Sequence, residues 1–569
     1  MKPLVSALAA LLLLGCQQSA PGPFADTAFV NGVFYTGAND GSLAKAVAIE
    51  GEKFVYVGDD ATAWIGPDTE VHDLGGRMAI PGLLDGHTHP GLVALSHRSL
   101  LLEDTSSLAA TLDSIRKIVA DNPEREVLIG GYWPNELFGP GGPHKSLLDE
   151  IEPDRPLILY DSWAHTVWAN SAALSQAGVS GETEDLVPGF AFYQKDEHGE
   201  PTGWITESAA SLFVNKFQEV TPEVEQVLLE YLEYFRSMGV TTLLDAGNFG
   251  LDEKIYAAVR RLDDAGKLPL RYHGSYTLFV PRDLDKAVST VTALNQEFGS
   301  ENLRIDTLKV FFDGVIETRT AAMSEDYLDT PGNRGEALLS RQQMHELILE
   351  LEQAGYNLHV HAVGNRATST TLDAVEDANR SLGRPTSIRI TICHLELVKE
   401  TDQPRFGALG VIGNFTPHWW VGGDFSWQAA GIGEMSLTMQ RARPLLEGGA
   451  KLTFSSDNTD TYEWRSGRSN PFVGIEMGHN RQDVGTGESG DVMPPIGERL
   501  SRKVMLDGYS KHSAYQLGRE NELGRIAPGL RADLVVLDRH LLDVNRFDIH
   551  RTRPLAVVMD GKLVSGSTQ

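Results

Sequence analysis

The run Met78-Ala79-Ile80-Pro81-Gly82-Leu83-Leu84-Asp85-Gly86-His87-Thr88-His89-Pro90 decides how the chain is read. Its first seven residues, 78–84, read as a buried strand. Side chains alternate along an extended chain, so His87 and His89 fall on one face, where two imidazoles can grip one metal ion. A His-X-His pair alone is as readily two surface histidines in a loop. Its place at the end of a buried strand shifts the balance towards a ligand pair.

Working outward, further buried-looking strands are read at 241–245, 270–278, 305–312, 356–363, 388–395, 411–415 and 451–455, and the gaps between them mostly hold helical patterns such as 253–265 and 341–354. Strand–helix alternation implies a parallel sheet with right-handed crossovers. Eight strands, counting 78–84 as the first, is the number in an α/β fold of the (β/α)8 TIM-barrel kind. Residues 92–237 are too long for one strand-to-helix loop and carry their own strands and helices (127–132, 157–160, 224–236), so they read as an insertion after barrel strand 1, over the barrel mouth. Residues 26–77 and 520–569 show short alternating strands with Gly, Asn and Asp turns. Neither end can bury a good core alone. The two are expected to join into one small split β-sandwich, which leaves 78–519 to the barrel.

Composition narrows the function. Of 569 residues, 41% are hydrophobic and 22% charged, which is globular and argues against disorder. With 49 Lys+Arg against 78 Asp+Glu, the net charge of −29 repels phosphate backbones, so no nucleic-acid partner is expected. Two cysteines, Cys16 and Cys393, exclude a disulfide framework and a cysteine zinc finger.

The N-terminus reads as an address. Lys2 precedes an apolar run over 4–14 that is too short to span a bilayer as a mature helix. Leu13-Leu14-Gly15-Cys16 followed by Gln17-Gln18-Ser19 is similar to a bacterial lipoprotein signal: 1–15 would be removed, Cys16 would carry the lipid, and 16–25 would be a linker. Several acyl chains would anchor the protein to a membrane stably. Gln17, rather than Asp, suits outer-membrane sorting, so the expected location is the cell envelope, at the periplasmic face of the outer membrane.

The later strand ends carry the chemistry. Lys309 lies in an apolar run, where an unpaired ammonium is costly to bury. His359-Val360-His361, Cys393-His394 and Ser455-Ser456-Asp457 end three more strands. Each position alone has a structural reading. Together they put histidines, a lysine and an aspartate at the C-terminal ends of strands one, four, five, six and eight, the face where such barrels carry active sites.

At this point the chain resembles the metal-dependent amidohydrolase superfamily, in its N-substituted formamide deformylase-like (YtcJ-like, amidohydrolase family 3) branch. The resemblance rests on 81–89, Gly239-Val240-Thr241-Thr242, Lys309 with Asp313-Gly314, His361 with Gly364 and Arg366, His394, Ser456-Asp457, the stretch 524–534, and His165 with Asn170-Ser171-Ala172-Ala173-Leu174 in the insertion. It implies that His87 and His89 bind one divalent ion and His361 and His394 a second. Lys309 would become an N-carboxylysine bridging both, and Asp457 would be metal ligand and catalytic base. His-rich ligation supplemented by oxygen suits zinc, and also manganese or cobalt. Asn365, Ser455 and Asn458-Thr459 depart from the branch at the mouth of the site and leave the substrate open.

Two divalent cations lower the pKa of a bridging water and polarise a carbonyl. The resemblance thus implies that a water so activated would attack, with Asp457 accepting its proton and returning it to the leaving nitrogen. His165, Trp133, Trp168 and His418 are candidates for the substrate-binding wall, with Trp163, Trp419 and Trp464 behind them. The first reading is therefore a hydrolase of a C–N bond in an amide, N-formyl or cyclic amide small molecule. A deaminase or an ester or lactone hydrolase on the same barrel is the alternative within the fold, and a non-catalytic binding lipoprotein is the alternative outside it.

Overall fold

The computed structural model describes residues 24–567. The leader at 1–15, Cys16 and most of the 16–25 linker lie outside the described residues. Among the described residues no helix is long and apolar enough to cross a membrane.

Eight parallel strands form the centre: β1 (Leu83–Thr88), β2 (Val240–Asp245), β3 (Arg271–Leu278), β4 (Leu303–Phe311), β5 (Asn357–Ala362), β6 (Ile390–His394), β7 (Ile412–Phe415) and β8 (Leu452–Phe454). They pair in sequence order. The barrel is drawn shut just past β8, where Asp457 N donates to His87 O at 2.9 Å and His89 N to Asn458 O at 3.1 Å. The crossovers are helices with local reasons to form. Arg341–Ala354 starts at a capping box, with Ser340 Oγ accepting from Gln343 N, and ends at Gly355 with φ 79°. Its Met344, Leu347, Ile348 and Leu351 recur at three- and four-residue steps and bury one stripe on the barrel.

The stretch expected as one strand, 78–84, is two. Met78–Pro81 belongs to a different sheet, antiparallel to Leu534–Leu537 and parallel to Val33–Tyr35. The chain changes sheets at Gly82, whose N–H goes to Asp533 O at 3.1 Å while the next N–H, of Leu83, goes to Gly239 O at 2.9 Å. A side chain could not sit there: a Cβ on Gly82 would lie 2.6 Å from Thr241 Oγ1. The barrel therefore begins at Leu83 and not at Met78.

The two chain ends meet as expected. A six-stranded sheet runs Lys562–Gly566, Pro554–Met559, Leu534–Leu537, Met78–Pro81, Val33–Tyr35, Leu43–Ala44, and a four-stranded sheet holds Thr27–Val30, Ala46–Glu50, Lys53–Gly58 and Glu70–Asp73. Phe29, Phe34, Val47 and Phe54 from one end pack with Ile526, Leu534, Val536 and Val558 from the other. This unit docks at the N-terminal end of the barrel. Buried Arg271, the first residue of β3, holds Asp533 Oδ2 at 2.6 Å and also pairs with Asp560. The C-terminal face of the barrel is left free for chemistry.

Between β1 and β2 a mixed six-stranded sheet spans Leu100–Leu101, Leu128–Trp133, Leu157–Asp161, Thr166–Ala169, Pro201–Thr206 and Tyr193–Lys195, in that spatial order reversed. It has a core of its own around Ile115, Leu128, Leu148, Leu157, Leu159, Trp133, Trp168 and Trp204.

Candidate metal centre

His87 lies in β1 and His89 just past its end, both turned into the barrel, with their Nε2 atoms 3.3 Å apart. Each ring is fixed from behind. His89 Nδ1 donates to Gly247 O at 2.9 Å, and Gly247 is held through its N–H by Asp245, itself bonded by Tyr272 Oη at 2.7 Å. Gly247 has φ 138°, and a Cβ there would lie 2.1 Å from Thr277 Oγ1, so only glycine brings that carbonyl up to the ring. His87 Nδ1 lies 3.1 Å from His359 Nε2. His87 and His89 thus turn Nε2 lone pairs to a common point, the arrangement that second-sphere hydrogen bonds impose on metal ligands.

His361 is braced by Asp313, whose Oδ1 lies 3.2 Å from Nδ1. That carboxylate also accepts from Val363 N at 3.0 Å, Gly364 N at 2.8 Å and Ala322 N at 2.9 Å. Burial pushes its carboxyl up to about 7 against those donors. His394 ends β6 in the left-handed region at φ 71°, and Asp457 sits at φ 48°. Such backbone is uncommon for these residues and recurs where a site over-determines it. The turn places Asp457 centrally: Oδ1 is 3.4 Å from both His87 Nε2 and His89 Nε2, and Oδ2 is 3.4 Å from His394 Nδ1. The rings of His361 and His394 stand 4.4 Å apart.

Burial, and then the neighbouring positive charges, hold His87, His359, His361 and His394 well below the usual imidazole range. They are neutral at pH 7 and able to donate lone pairs. Lys309, 1% exposed, points into the same space, its Nζ 3.5 Å from His87 Nε2 and 3.2 Å from Cys393 Sγ. No carboxylate of the described residues forms an ion pair with it. Neutral imidazoles, one carboxylate and one amine converge here, and His87, His89 and Asp457 bring ligand atoms within 4.8 Å of one another. That donor set fits divalent cations. Cys393 lies against the cluster as well, its thiol pushed up to about 12 by burial.

The expected wall residues separate. His165 stands at the site, its ring 5.7 Å from that of His361 and stacked on Phe311. Burial works against its charge, but the Glu207 carboxylate, 2.7 Å from Nδ1, outweighs it and lifts the imidazole to about 9. Trp419 stacks on His394 at 5.6 Å. Trp133 lines a small cavity beside the mouth. Trp168 does not reach the site: it is core of the insertion, with Nε1–H bonded to His144 O at 3.1 Å. His418 is a brace, its nitrogens facing Ser455 O and Asn470 O at 3.2 and 3.1 Å, and burial draws it down to about 4. Trp464 packs against Tyr231 and Tyr234, and Trp163 is exposed.

Two residues quoted from the sequence without a role take one in the structure, and others are new. His359 shares the β5 face of His361 by simple alternation, and Asp313 follows β4. Glu207 comes from the insertion, with Thr320 Oγ1 at 2.5 Å and Thr318 Oγ1 at 3.3 Å from its second oxygen. Glu317 and Glu396, in the loops after β4 and β6, are buried as well. Burial, then the Glu317 and Asp313 charges, push the Glu396 carboxyl well above its usual range.

Known proteins resemble this chain along most of its length. The amidohydrolase family matches residues 70–565. The chain is 30% identical over 408 residues to the exoenzymes regulatory protein AepA of Pectobacterium carotovorum subsp. carotovorum, covering 70% of this chain and 86% of that one. It is 26% identical over 542 residues to the N-substituted formamide deformylase of Arthrobacter pascens, covering 92% and 95%. Among solved structures, an uncharacterized metal-dependent hydrolase from Pyrococcus furiosus superposes with a TM-score of 0.65 at 25% identity, covering 91% of this chain and 100% of that one.

Proposed function

Because the chain belongs to the amidohydrolase family, whose members are metal-dependent hydrolases, we propose that it cleaves the C–N bond of an amide, N-formyl or cyclic amide substrate. The observation that carries this is the position of Asp457, equidistant at 3.4 Å from His87 and His89 on one side and, through its other oxygen, from His394 on the other. A carboxylate held there can serve as ligand and as base for a water lying between the histidine pairs.

In this reading His87 and His89 would hold one divalent ion and His361 and His394 a second, N-carboxylated Lys309 would supply an anion to both, and zinc is the expected metal. Bound ions supply Lewis acidity and lower the pKa of the attacking water. The protein's own groups do the rest. Asp457 takes the proton of the water as it attacks the carbonyl, then delivers it to the leaving nitrogen. His165, kept cationic by Glu207 and seated on Phe311, orients the substrate from the insertion side. Carboxylation explains why a lysine occupies this position: it replaces a buried ammonium lacking a counter-charge by an anion. The name of the Arthrobacter relative makes N-formyl amines the first substrates to try. With the leader and Cys16, the same proposal puts the enzyme on a lipid anchor at the periplasmic face of the outer membrane.

The test is a pair of variants. Lys309→Ala is expected to lose one or both metals by elemental analysis and most activity. Asp457→Asn is expected to retain metal better yet lose turnover by on the order of 10²-fold or more, as removal of a general base does. Lys309→Ala with full metal content and near-normal rate would rule out the bridged two-metal site.

A further inference from the structure

Cys393 takes no part in the proposed hydrolysis, yet its sulfur faces the histidine cluster. Among the described residues, two sets of three bring their ligand atoms within 4.8 Å of one another: His87, His89 and Asp457, and His87, Cys393 and His394. His87 Nδ1 is taken up by His359 at 3.1 Å, so Nε2 is the nitrogen it can offer, and that atom lies 3.3 Å from His89 Nε2. One nitrogen lone pair serves one ion. With His87 on the first ion, Cys393 and His394 are left from the other set for the second.

The strands explain why the thiol is there. Cys393 of β6 is the register partner of His361 of β5. Register partners on neighbouring strands send their side chains to the same face. His394 comes next, and on a regular strand it would point the opposite way. Its φ of 71°, followed by 53° at Leu395, breaks the alternation and returns the imidazole to the side of the thiol. Two successive non-glycine residues in the left-handed region are costly, and strain of this kind gathers at working sites. Here it brings donors from consecutive positions together, next to His361, whose ring stands 4.4 Å from that of His394.

A buried cysteine commonly acts as a small apolar filler. The sulfur of Cys393, 0% exposed, instead has polar partners: Lys309 Nζ donates to it at 3.2 Å, and it donates to Val360 O at 3.2 Å. A carboxylated Lys309 keeps one N–H on Nζ, so a donor to the sulfur remains.

Resting on the two-ion reading above, we infer that Cys393 is a ligand of the second ion, beside His361 and His394. The S–H bond breaks as the sulfur–metal bond forms, and the proton passes to water. Burial keeps the thiol protonated in the metal-free protein, and the bound cation reverses that preference. The two sites then differ in kind. The first offers imidazole nitrogens and a carboxylate, the second imidazole nitrogens and a thiolate. The second therefore selects zinc and cadmium over manganese and magnesium.

The chain has two cysteines, so Cys16→Ser leaves Cys393 as its one thiol. That protein, stripped of metal and reloaded with cobalt(II), is expected to show thiolate-to-cobalt charge-transfer absorption in the near ultraviolet that saturates as its sites fill. Adding Cys393→Ser is expected to remove this absorption and to weaken cadmium binding at one site by at least about 10-fold, a loss that even partners behind a metal ligand produce. Manganese binding should weaken less. Full cobalt loading without the absorption overturns the inference and leaves the hydrolase reading standing, and so does an unchanged cadmium affinity in Cys393→Ser. The spectrum of the parent protein decides by itself, even if Cys393→Ser does not fold. A parent that binds neither cobalt nor cadmium overturns both readings. The absorption present, with no amide hydrolysed by the zinc-, manganese- or cobalt-loaded enzyme, sustains the sulfur ligand and overturns the hydrolase reading instead.

Discussion

Asp313 offers the sharpest test of how the centre is built. Its two oxygens take four donors: His361 Nδ1 and Val363 N on Oδ1, Ala322 N and Gly364 N on Oδ2. In Asp313→Asn the amide oxygen can keep one side, while the NH2 group turns a donor towards the other. Two buried donors are then stranded, at about 1–3 kcal/mol each, so the destabilisation is roughly 2–6 kcal/mol. That is a large fraction of the 5–15 kcal/mol typical of a folded domain. If the stranded pair includes His361, its ring loses the acceptor that sets its tautomer, and a lost second-sphere partner typically weakens metal affinity by about 10–100-fold. Chelator competition on metal-free protein measures the affinity, and thermal denaturation of the same sample measures the stability. An affinity within about twofold of wild type together with an unchanged midpoint would refute the claim that Asp313 orients His361 and ties the loops after β4 and β5.

Glu352 governs part of the acid response. Its carboxylate is 5% exposed, takes Ser387 N at 2.8 Å and Ser387 Oγ at 2.6 Å and pairs with Arg384 at 2.7 Å. Burial opposes the charge, but these contacts win and draw the pKa from 4.5 to about 2. The sign follows: a depressed carboxylate contributes stability above about 4.5, and that contribution disappears as pH falls to about 2. Glu352→Gln should lower the denaturation midpoint at pH 6 and converge with wild type near pH 2, whereas a constant offset between the two curves would contradict this. Cys16→Ser should abolish labelling by a fatty-acid probe and move the exported protein to the soluble fraction; a wild type that is neither labelled nor sedimented with membrane would remove the lipid anchor from the proposal.

How far the chain could be read depended on whether a residue's partner is local or distant. His87 and His89, two apart at a strand end, declare a shared face by the alternation of extended chain, and the same rule applied to β5 makes His359 as visible as His361. Asp457 is legible from its position just past a strand, although its approach to His87 depends on a left-handed turn that no periodicity announces. The break at Gly82 was hidden because the apolar run of Met78–Pro81 continues into Leu83 and Leu84. What divides them is pairing with Leu534–Leu537 at the far end of the chain, which leaves no mark on the local pattern. Trp168 and His418 show the converse limit. An aromatic ring near a chemical motif has the same sequence signature whether it walls a pocket or fills a core, and the choice is made by whether its polar atom finds a backbone carbonyl, as both of these do. Glu317 and Glu396 lie in loops, where neither period applies. Their closeness, which lets the charge of one act on the other, arises only when β4 and β6 bring the two loops side by side. The metal-binding half of the centre is therefore carried by strands and written in their alternation, whereas the half that would select a substrate is carried by loops and the insertion, and only the folded chain assembles it.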